Sequence, residues 1–461
     1  MGTPGTENNP LRVAIVGSGP SGFYAAEALF RSDLTVLVDL IERLPNPYGL
    51  VRSGVAPDHP KLKQAIQTFN KIAESPQFNY IGNVAVGTDI SVEELRNTHH
   101  AIIFTCGAET DRKLGIPGED LPGSYTATEF VGWYNGHPDY RDRRFDLSHE
   151  TAVIIGQGNV AADVSRILAK DVDELKTTDI AAHAMQALAD SRIRNIHVIG
   201  RRGPAQAKFT SKELKEFGEL AICEPEIDPE ELMLNPESEA ELADKTNAGS
   251  RKVYELFTQF AGRGPSTKQR RCQFTFLKSP VEILGNGKVE KIVFEKNILS
   301  GPPMNQSARG TGATIEIDTG IVLRSIGYRG VPLDGVPFDQ KRGIFPNTDG
   351  RITGDDGKPV PQLYVAGWIK RGPTGIIGTN RADSVATVES LLKDAALLDS
   401  GNEKTGAEGV HSLLGSRNIR FINFSEWKKI DQREVEMGTR NNKPREKFTS
   451  KSEMLRILDE S

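Results

Sequence analysis

A short apolar run, Leu11–Val16, enters the turn Gly17-Ser18-Gly19-Pro20-Ser21-Gly22 and continues into an Ala-rich helical pattern that reaches Phe30. Residues Thr35–Ile41 read as a second buried strand, ending at Glu42. Strand, glycine turn, helix and strand within about 30 residues make a βαβ unit. The pattern then starts again. Thr151–Ile155 is a strand, Gly156-Gln157-Gly158-Asn159-Val160-Ala161 is the turn, and a helix runs to about Leu168. The next strand, Ile196–Ile199, is closed by Gly200-Arg201-Arg202. The two copies end alike, Phe104–Gly107 and Arg324–Gly327. This rough duplication restricts the chain to an α/β fold with two Rossmann-like dinucleotide-binding domains.

A further strand, Leu363–Ala366, follows the second copy and leads into Gly367-Trp368, a glycine-rich loop and a helix to about Leu398. Such a strand is expected back in the first sheet, which makes the second domain an insertion. The expected division is residues 1–107 and 331–399 for the first domain and 108–330 for the second. Residues 400–461 are expected to be a linker, Ser400–Gly409, and a charged, helical tail without assigned chemistry. At 461 residues the chain exceeds one ordinary core, as this division requires. Smaller expectations are a helix over 61–72, a short strand at Val84–Val86 and a helix over 179–189.

The chemistry lies in the turns. Gly17 permits a tight turn, Gly19 lets backbone approach a pyrophosphate, and Gly22 lets helix and strand pack closely. Pro20 and Ser21 open the helix, whose N-terminus favours anions. Glu42 would accept hydrogen bonds from an adenosine ribose and repel a 2′-phosphate, so this site suits FAD or NAD. Asp39 lies in the same strand. In the second copy Ala161 stands where a third glycine would be, and the next strand ends in Arg201-Arg202. Two guanidiniums there can pair a 2′-phosphate, which predicts NADP. FAD and NADP in one chain imply hydride transfer between two flat rings; no nucleophile or metal is required and none is evident. Trp368 could close a flavin pocket, and the backbone of Gly375, Ile376 and Ile377 could offer N–H groups at a helix start.

Composition removes other classes. With 57 Lys+Arg against 62 Asp+Glu the net charge is −5, and no nucleic-acid partner is implied. Three separated cysteines, Cys106, Cys223 and Cys272, form no C-x-x-C pair, which fits a reducing compartment. No apolar stretch could span a bilayer, and the N-terminus lacks a targeting pattern, so a cytoplasmic location is expected.

Six segments resemble the adrenodoxin reductase family of ferredoxin–NADP reductases, including its bacterial and mycobacterial type. They are Val16–Gly22, Tyr48–Pro60, Leu114–Pro122, Phe130–Tyr134, Gly200–Pro204 and Gly367–Gly375. Trp427, Ile430 and Asp431 extend the resemblance into the tail. It implies FAD contacts at Ser21, Glu42, Leu50, Val86, Trp368 and the Gly375–Ile377 backbone. It implies NADP contacts at Gln157 to Val160, Arg201, Arg202 and Glu213, with Gly375 near the nicotinamide end. His59 and Glu216 match positions that the family places near the reacting rings.

The implied partner is an iron–sulfur ferredoxin, with a cytochrome P450 as an expected downstream acceptor. Flavin accepts a hydride and releases single electrons, which suits it to stand between the two carriers. Ferredoxins are usually acidic, so candidates for a basic docking face are Lys208, Lys212, Lys215, Lys268, Arg270 and Arg271. An NADPH-dependent flavin monooxygenase, a quinone reductase, or a non-catalytic flavoprotein subunit would carry the same turns.

Overall fold

Val13, Ala14 and Ile15 are fully buried, so the strand Leu11–Val16 is covered on both faces. A near-continuous apolar run of this kind belongs at the centre of a parallel sheet. In the computed structural model, which describes residues 3–398 and 403–460, it does. Its parallel neighbours are Val36–Glu42 and Ala101–Phe104. The seven-stranded sheet runs Asn347–Thr348, Arg351–Thr353, Pro359–Val365, Ala101–Phe104, Leu11–Val16, Val36–Glu42, Phe78–Gly82. Leu363, Tyr364 and Val365 pair in parallel with Ile102, Ile103 and Phe104, so a strand from beyond the second unit returns to the first sheet.

The second sheet has six strands in the order Ser124–Thr126, Ile321–Arg324, Thr151–Ile155, Asn195–Ile199, Arg270–Thr275, Cys223–Glu226. All its pairings are parallel. An antiparallel sheet of Lys278–Leu284, Lys291–Ser300 and Ser307–Asp318 packs Ile283, Ile292 and Phe294 against its Val153, Ile155 and Val322. The chain crosses between the two large sheets in two segments that lie side by side. Thr110–Asp111 pairs antiparallel with Tyr328–Arg329.

Several local expectations shift. Two helices, Pro60–Lys63 and Ala65–Ala73, replace the single one expected over 61–72. Val84–Val86 is no strand: the Asp89 carboxylate accepts from the Ala85 N–H at 2.7 Å and holds a turn there, leaving Val86 one isolated bridge to Ile90. The helix expected from Asp179 starts at Ala182, because the Asp179 carboxylate is bound to Lys63 at 2.6 Å and Lys447 at 3.1 Å.

The C-terminal stretch is folded onto the first sheet. Val410 and Leu414 pack on one face beside Phe104 and Ile102. Ile422, Trp427, Ile430 and Met454 fill the other face beside Phe23, Tyr48 and Tyr80. Residues 400–402 of the expected linker lie outside the described residues, but Ala407–Ser416, which takes up its end, is helical. Inside this packing Glu434 is fully buried; it accepts from Arg52 at 2.8 Å and from Arg445 at 3.2 Å. The Arg52 guanidinium also lies 5.1 Å over the Trp427 ring.

Candidate functional site

The two glycine turns have the same construction. A Cβ at Gly17, whose φ is +104°, would meet the Thr105 carbonyl at 2.8 Å; one at Gly156, φ +131°, would meet that of Ser325 at 2.1 Å. Each turn therefore lies directly against the closing strand of its own copy. The second glycines differ: a Cβ at Gly19 or Gly158 would meet no atom within 4 Å. These two positions border open space, as close backbone approach by a ligand requires. Gly22 packs inward, where a Cβ would lie 2.3 Å from the Gly17 carbonyl oxygen. Ala161, at the equivalent place, is buried with its methyl in the core.

The acid of the first site stands at the turn. Glu42 accepts from the Ser18 N–H at 3.0 Å and its hydroxyl at 2.6 Å, and its other oxygen accepts from the Leu44 N–H at 3.0 Å. Asp39 is taken up elsewhere, beside His99 Nε2 at 2.8 Å and the Asn79 amide at 3.1 Å. Ser21 donates to Asn380 at 3.2 Å, tying the first helix to Ile377–Asp394, and a Cβ at Gly367 would meet Ser21 Oγ at 2.3 Å.

Along Gly367–Ile377 two buried donors have no hydrogen-bond partner among the described residues, Trp368 Nε1 and Arg371 Nη1. Such orphans are costly in a folded chain unless a ligand satisfies them. Ile376 is 67 % exposed and Leu50 is 37 % exposed. Trp368 lies against Tyr328, with ring centroids 5.4 Å apart. Val86 is packed at the edge of a core cluster. The open glycines, the placed acid and the orphaned donors fit a flavin dinucleotide.

In the second unit the turn is braced from both sides. Gln157 donates to the Thr275 carbonyl at 2.9 Å and accepts the Lys208 N–H on its own carbonyl at 2.7 Å. Asn159 Oδ1 accepts the Thr210 N–H at 2.8 Å. Val160 lies partly buried beside the same core. The Arg201 and Arg202 carbonyls accept from Asn297 at 2.9 Å and Leu277 at 3.0 Å. Their backbone is thus fixed. Arg201 is exposed and Arg202 half-buried, and neither side chain forms an ion pair among the described residues. Two unneutralised guanidiniums beside an open glycine turn fit a phosphorylated dinucleotide.

Between the units lies a buried cluster of charged groups. His59 Nε2 is 2.8 Å from Glu216 Oε2 and 3.6 Å from Glu213 Oε2, so the expected pair is in contact. Thr210 caps the helix Ser211–Phe217, which carries both glutamates. Glu213, expected at NADP, here accepts from Arg166 at 3.1 Å. Arg166 was not singled out in the sequence. Its side chain is fully buried and also donates to Asp58 at 2.6 and 3.1 Å and to Asp163 at 2.6 Å.

Burial lowers the His59 pKa, but the Glu216 hydrogen bond and the Asp58 and Glu213 charges outweigh it and hold the imidazole above its ordinary value. For Glu216 burial acts upward and is outweighed by His59 and Arg166, so its carboxyl lies low. Burial pushes Asp163 up to about 6, against the pull of Arg166. The carboxylate beside Nε2 favours the protonated ring, and the ring in turn favours the carboxylate.

The basic candidates divide. Arg270 is buried and donates to the Leu168 and Lys170 carbonyls at 2.8 and 2.7 Å, which removes it from any docking face. Successive side chains of a strand face opposite sides of the sheet, and Arg270 falls on the side covered by the end of the helix Asn159–Ala169. Arg271 is neutralised by Glu226 at 2.7 Å and Lys268 by Glu224 at 3.1 Å. Lys208, Lys212 and Lys215 are exposed, and Lys215 pairs with Glu219 at 3.3 Å.

Comparison with known proteins gives the family. Residues 15–81 match the NAD(P)-binding Rossmann-like domain family. The chain is 44 % identical to the mitochondrial NADPH:adrenodoxin oxidoreductase of Arabidopsis thaliana, covering 97 % of this chain and 95 % of that one. It is 45 % identical to NADPH-ferredoxin reductase FprA of Mycobacterium tuberculosis, covering 97 % and 99 %. The solved structure of Mycobacterium tuberculosis FprA in complex with NADPH superposes with a TM-score of 0.91 over 98 % of this chain and 100 % of that one, at 44 % identity.

Proposed function

For a chain that belongs to the adrenodoxin reductase family, we propose the activity of an FAD-dependent NADPH:ferredoxin oxidoreductase. The observation that carries it is the unlike construction of two like turns, one closed by Glu42 and the other by Arg201 and Arg202. Bound flavin would supply the chemistry of taking a hydride and passing its electrons on singly. The chain's own groups do the rest. Residues 1–107 and 331–399 hold FAD through Gly17, Gly19, Gly22, Glu42 and the Gly367–Ile377 loop, with Ser21, Leu50, Val86 and Trp368 closing round it. Residues 108–330 hold NADP through Gly156, Gly158, the backbone of Gln157 to Val160, and the two arginines. Trp368 and Arg371 offer their unpaired donors to the flavin site. His59 Nε2 stands 2.8 Å from Glu216 Oε2, and the pair fixes the orientation of the imidazole between the two dinucleotide sites.

The partner would be an acidic iron–sulfur ferredoxin, steered by Lys208 and Lys212, that feeds in turn a cytochrome P450. Among the described residues no helix is long and apolar enough to cross a membrane. Three free thiols support a reducing compartment, and we place the enzyme in the cytoplasm.

Anaerobic titration tests the core of this reading. The purified yellow protein is expected to bleach with one equivalent of NADPH, and to reduce cytochrome c only when a ferredoxin is added. Oxygen consumption with a hydroxylated product would sink it in favour of a monooxygenase. Charge reversal at Lys208 and Lys212 together is expected to raise the apparent KM for ferredoxin by about tenfold at low salt, with less effect at high salt. An unchanged KM at low salt removes this face from docking.

A further inference from the structure

Five charged groups from three stretches of chain meet at one fully buried guanidinium, that of Arg166. Asp58 and His59 come from the loop before Pro60, Asp163 from the helix that follows the second glycine turn, and Glu213 and Glu216 from the helix Ser211–Phe217; Lys170, just past the first of these helices, pairs with Asp58 from outside. The buried Tyr134 ring borders the same space. Arg166 uses Nε and Nη2 on Asp58, Nη2 on Asp163 and Nη1 on Glu213. Its Nη2 also lies 3.5 Å from His59 Nδ1, and its Nε 3.5 Å from Glu216 Oε2.

A cation at Nδ1 and a carboxylate at Nε2 act on opposite edges of one imidazole. Four carboxylates around His59 would otherwise compete for it. Arg166 occupies three of them directly, which leaves Glu216 as the close partner at 2.8 Å, while Asp163 stays 3.9 Å from Nδ1. We propose that Arg166 is a positioning residue for the His59–Glu216 couple, selecting its carboxylate and setting its charge from the far edge of the ring. The guanidinium is suited to this role because it is planar, always charged and able to serve several acceptors in fixed directions. The same contacts tie the His59 loop of the first unit to two helices of the second, so the couple forms only when both are seated.

The inference rests on the proposed place of the couple between the dinucleotide sites, and the test separates the two. The holoenzyme, labelled with 15N-histidine, is titrated by NMR, and the His59 signal is assigned by its loss in His59→Gln. Arg166→Gln removes the cation at Nδ1 and releases the carboxylates, so the His59 midpoint is expected to move up in pH. Asp163→Asn keeps the cation and removes an anion, so the midpoint is expected to move down. Should Arg166→Gln fail to fold, the nearly isosteric Asp163→Asn carries the test. Flavin reduction by NADPH in Arg166→Gln is expected to slow about tenfold, with KM within about twofold, and Arg166→Lys to recover only part of that rate. A midpoint that stays put in both variants overturns the proposal. A shifted midpoint with an unchanged reduction rate supports the positioning by Arg166 and sinks instead the place of the couple in the reaction.

Discussion

Replacing Arg201 and Arg202 together with alanine is expected to lower kcat/KM for NADPH by roughly 10²–10³ while leaving that for NADH within about twofold. Each hydrogen bond to a charged group contributes about 1.5–3 kcal/mol. Two of them, at a site as open as this one, are worth about 3–4 kcal/mol after screening, and each 1.4 kcal/mol is about tenfold. The effect should fall on KM, because the 2′-phosphate is held equally in ground and transition states. The arginines stand on backbone fixed by Asn297 and Leu277, so the substitution removes charge without loosening the loop. Initial-rate kinetics with both donors checks this. A ratio of NADPH to NADH efficiency that survives the double substitution assigns the phosphate to other residues.

Glu434→Ala is expected to destabilise the fold by about 3–5 kcal/mol, the range for a buried pair broken on one side. The case rests on what remains. Arg52, whose side chain is 5 % exposed, would keep its charge in the interior with its bidentate partner gone. Arg445 would retain Asp431 alone. Against a total stability of about 5–15 kcal/mol this is a large fraction. Urea unfolding followed by tryptophan fluorescence reads it, since Trp427 lies beneath the Arg52 guanidinium. The double variant Arg52→Met with Glu434→Met should lose less than Glu434→Ala alone, because no unpaired charge is left behind. If the single variant unfolds at the wild-type urea concentration, the pair is not holding the C-terminal segment in place.

What could be read in advance follows from how far apart the cooperating residues lie. The glycine turns are legible because strand, turn and helix are contiguous, and the demand on Gly17, Gly22 and Gly156 is local. The returning strand Pro359–Val365 is legible because an apolar run after a completed second copy needs a sheet to join. The segment after residue 403 reads as a charged tail because its buried residues are sparse. Trp427 and Ile430 are separated from Met454 by a long polar stretch, and they share one core cluster with Phe23 and Tyr48, the latter 379 positions before Trp427. Arg166 is invisible to spacing for the same reason: Asp58 is 108 positions away. It sits in a helix whose other signals concern the preceding turn. Arg270 and Arg271 read as a surface pair because adjacent basic residues usually are one. In a strand they face opposite sides, and Arg270 faces inward.

The C-terminal packing also dictates an order of events during synthesis. All six strands of the second sheet have left the ribosome once Arg324 has emerged, so that unit can assemble on an unfinished chain. The first sheet begins at Leu11 yet must wait for Pro359–Val365 before Ala101–Phe104 has both its neighbours. Even then Tyr48 lacks the Trp427 ring that packs on it and donates to its hydroxyl. The earliest part of the polypeptide to be made is therefore the last to be sealed. During that interval its exposed apolar surface is the part of the chain most open to non-native contacts.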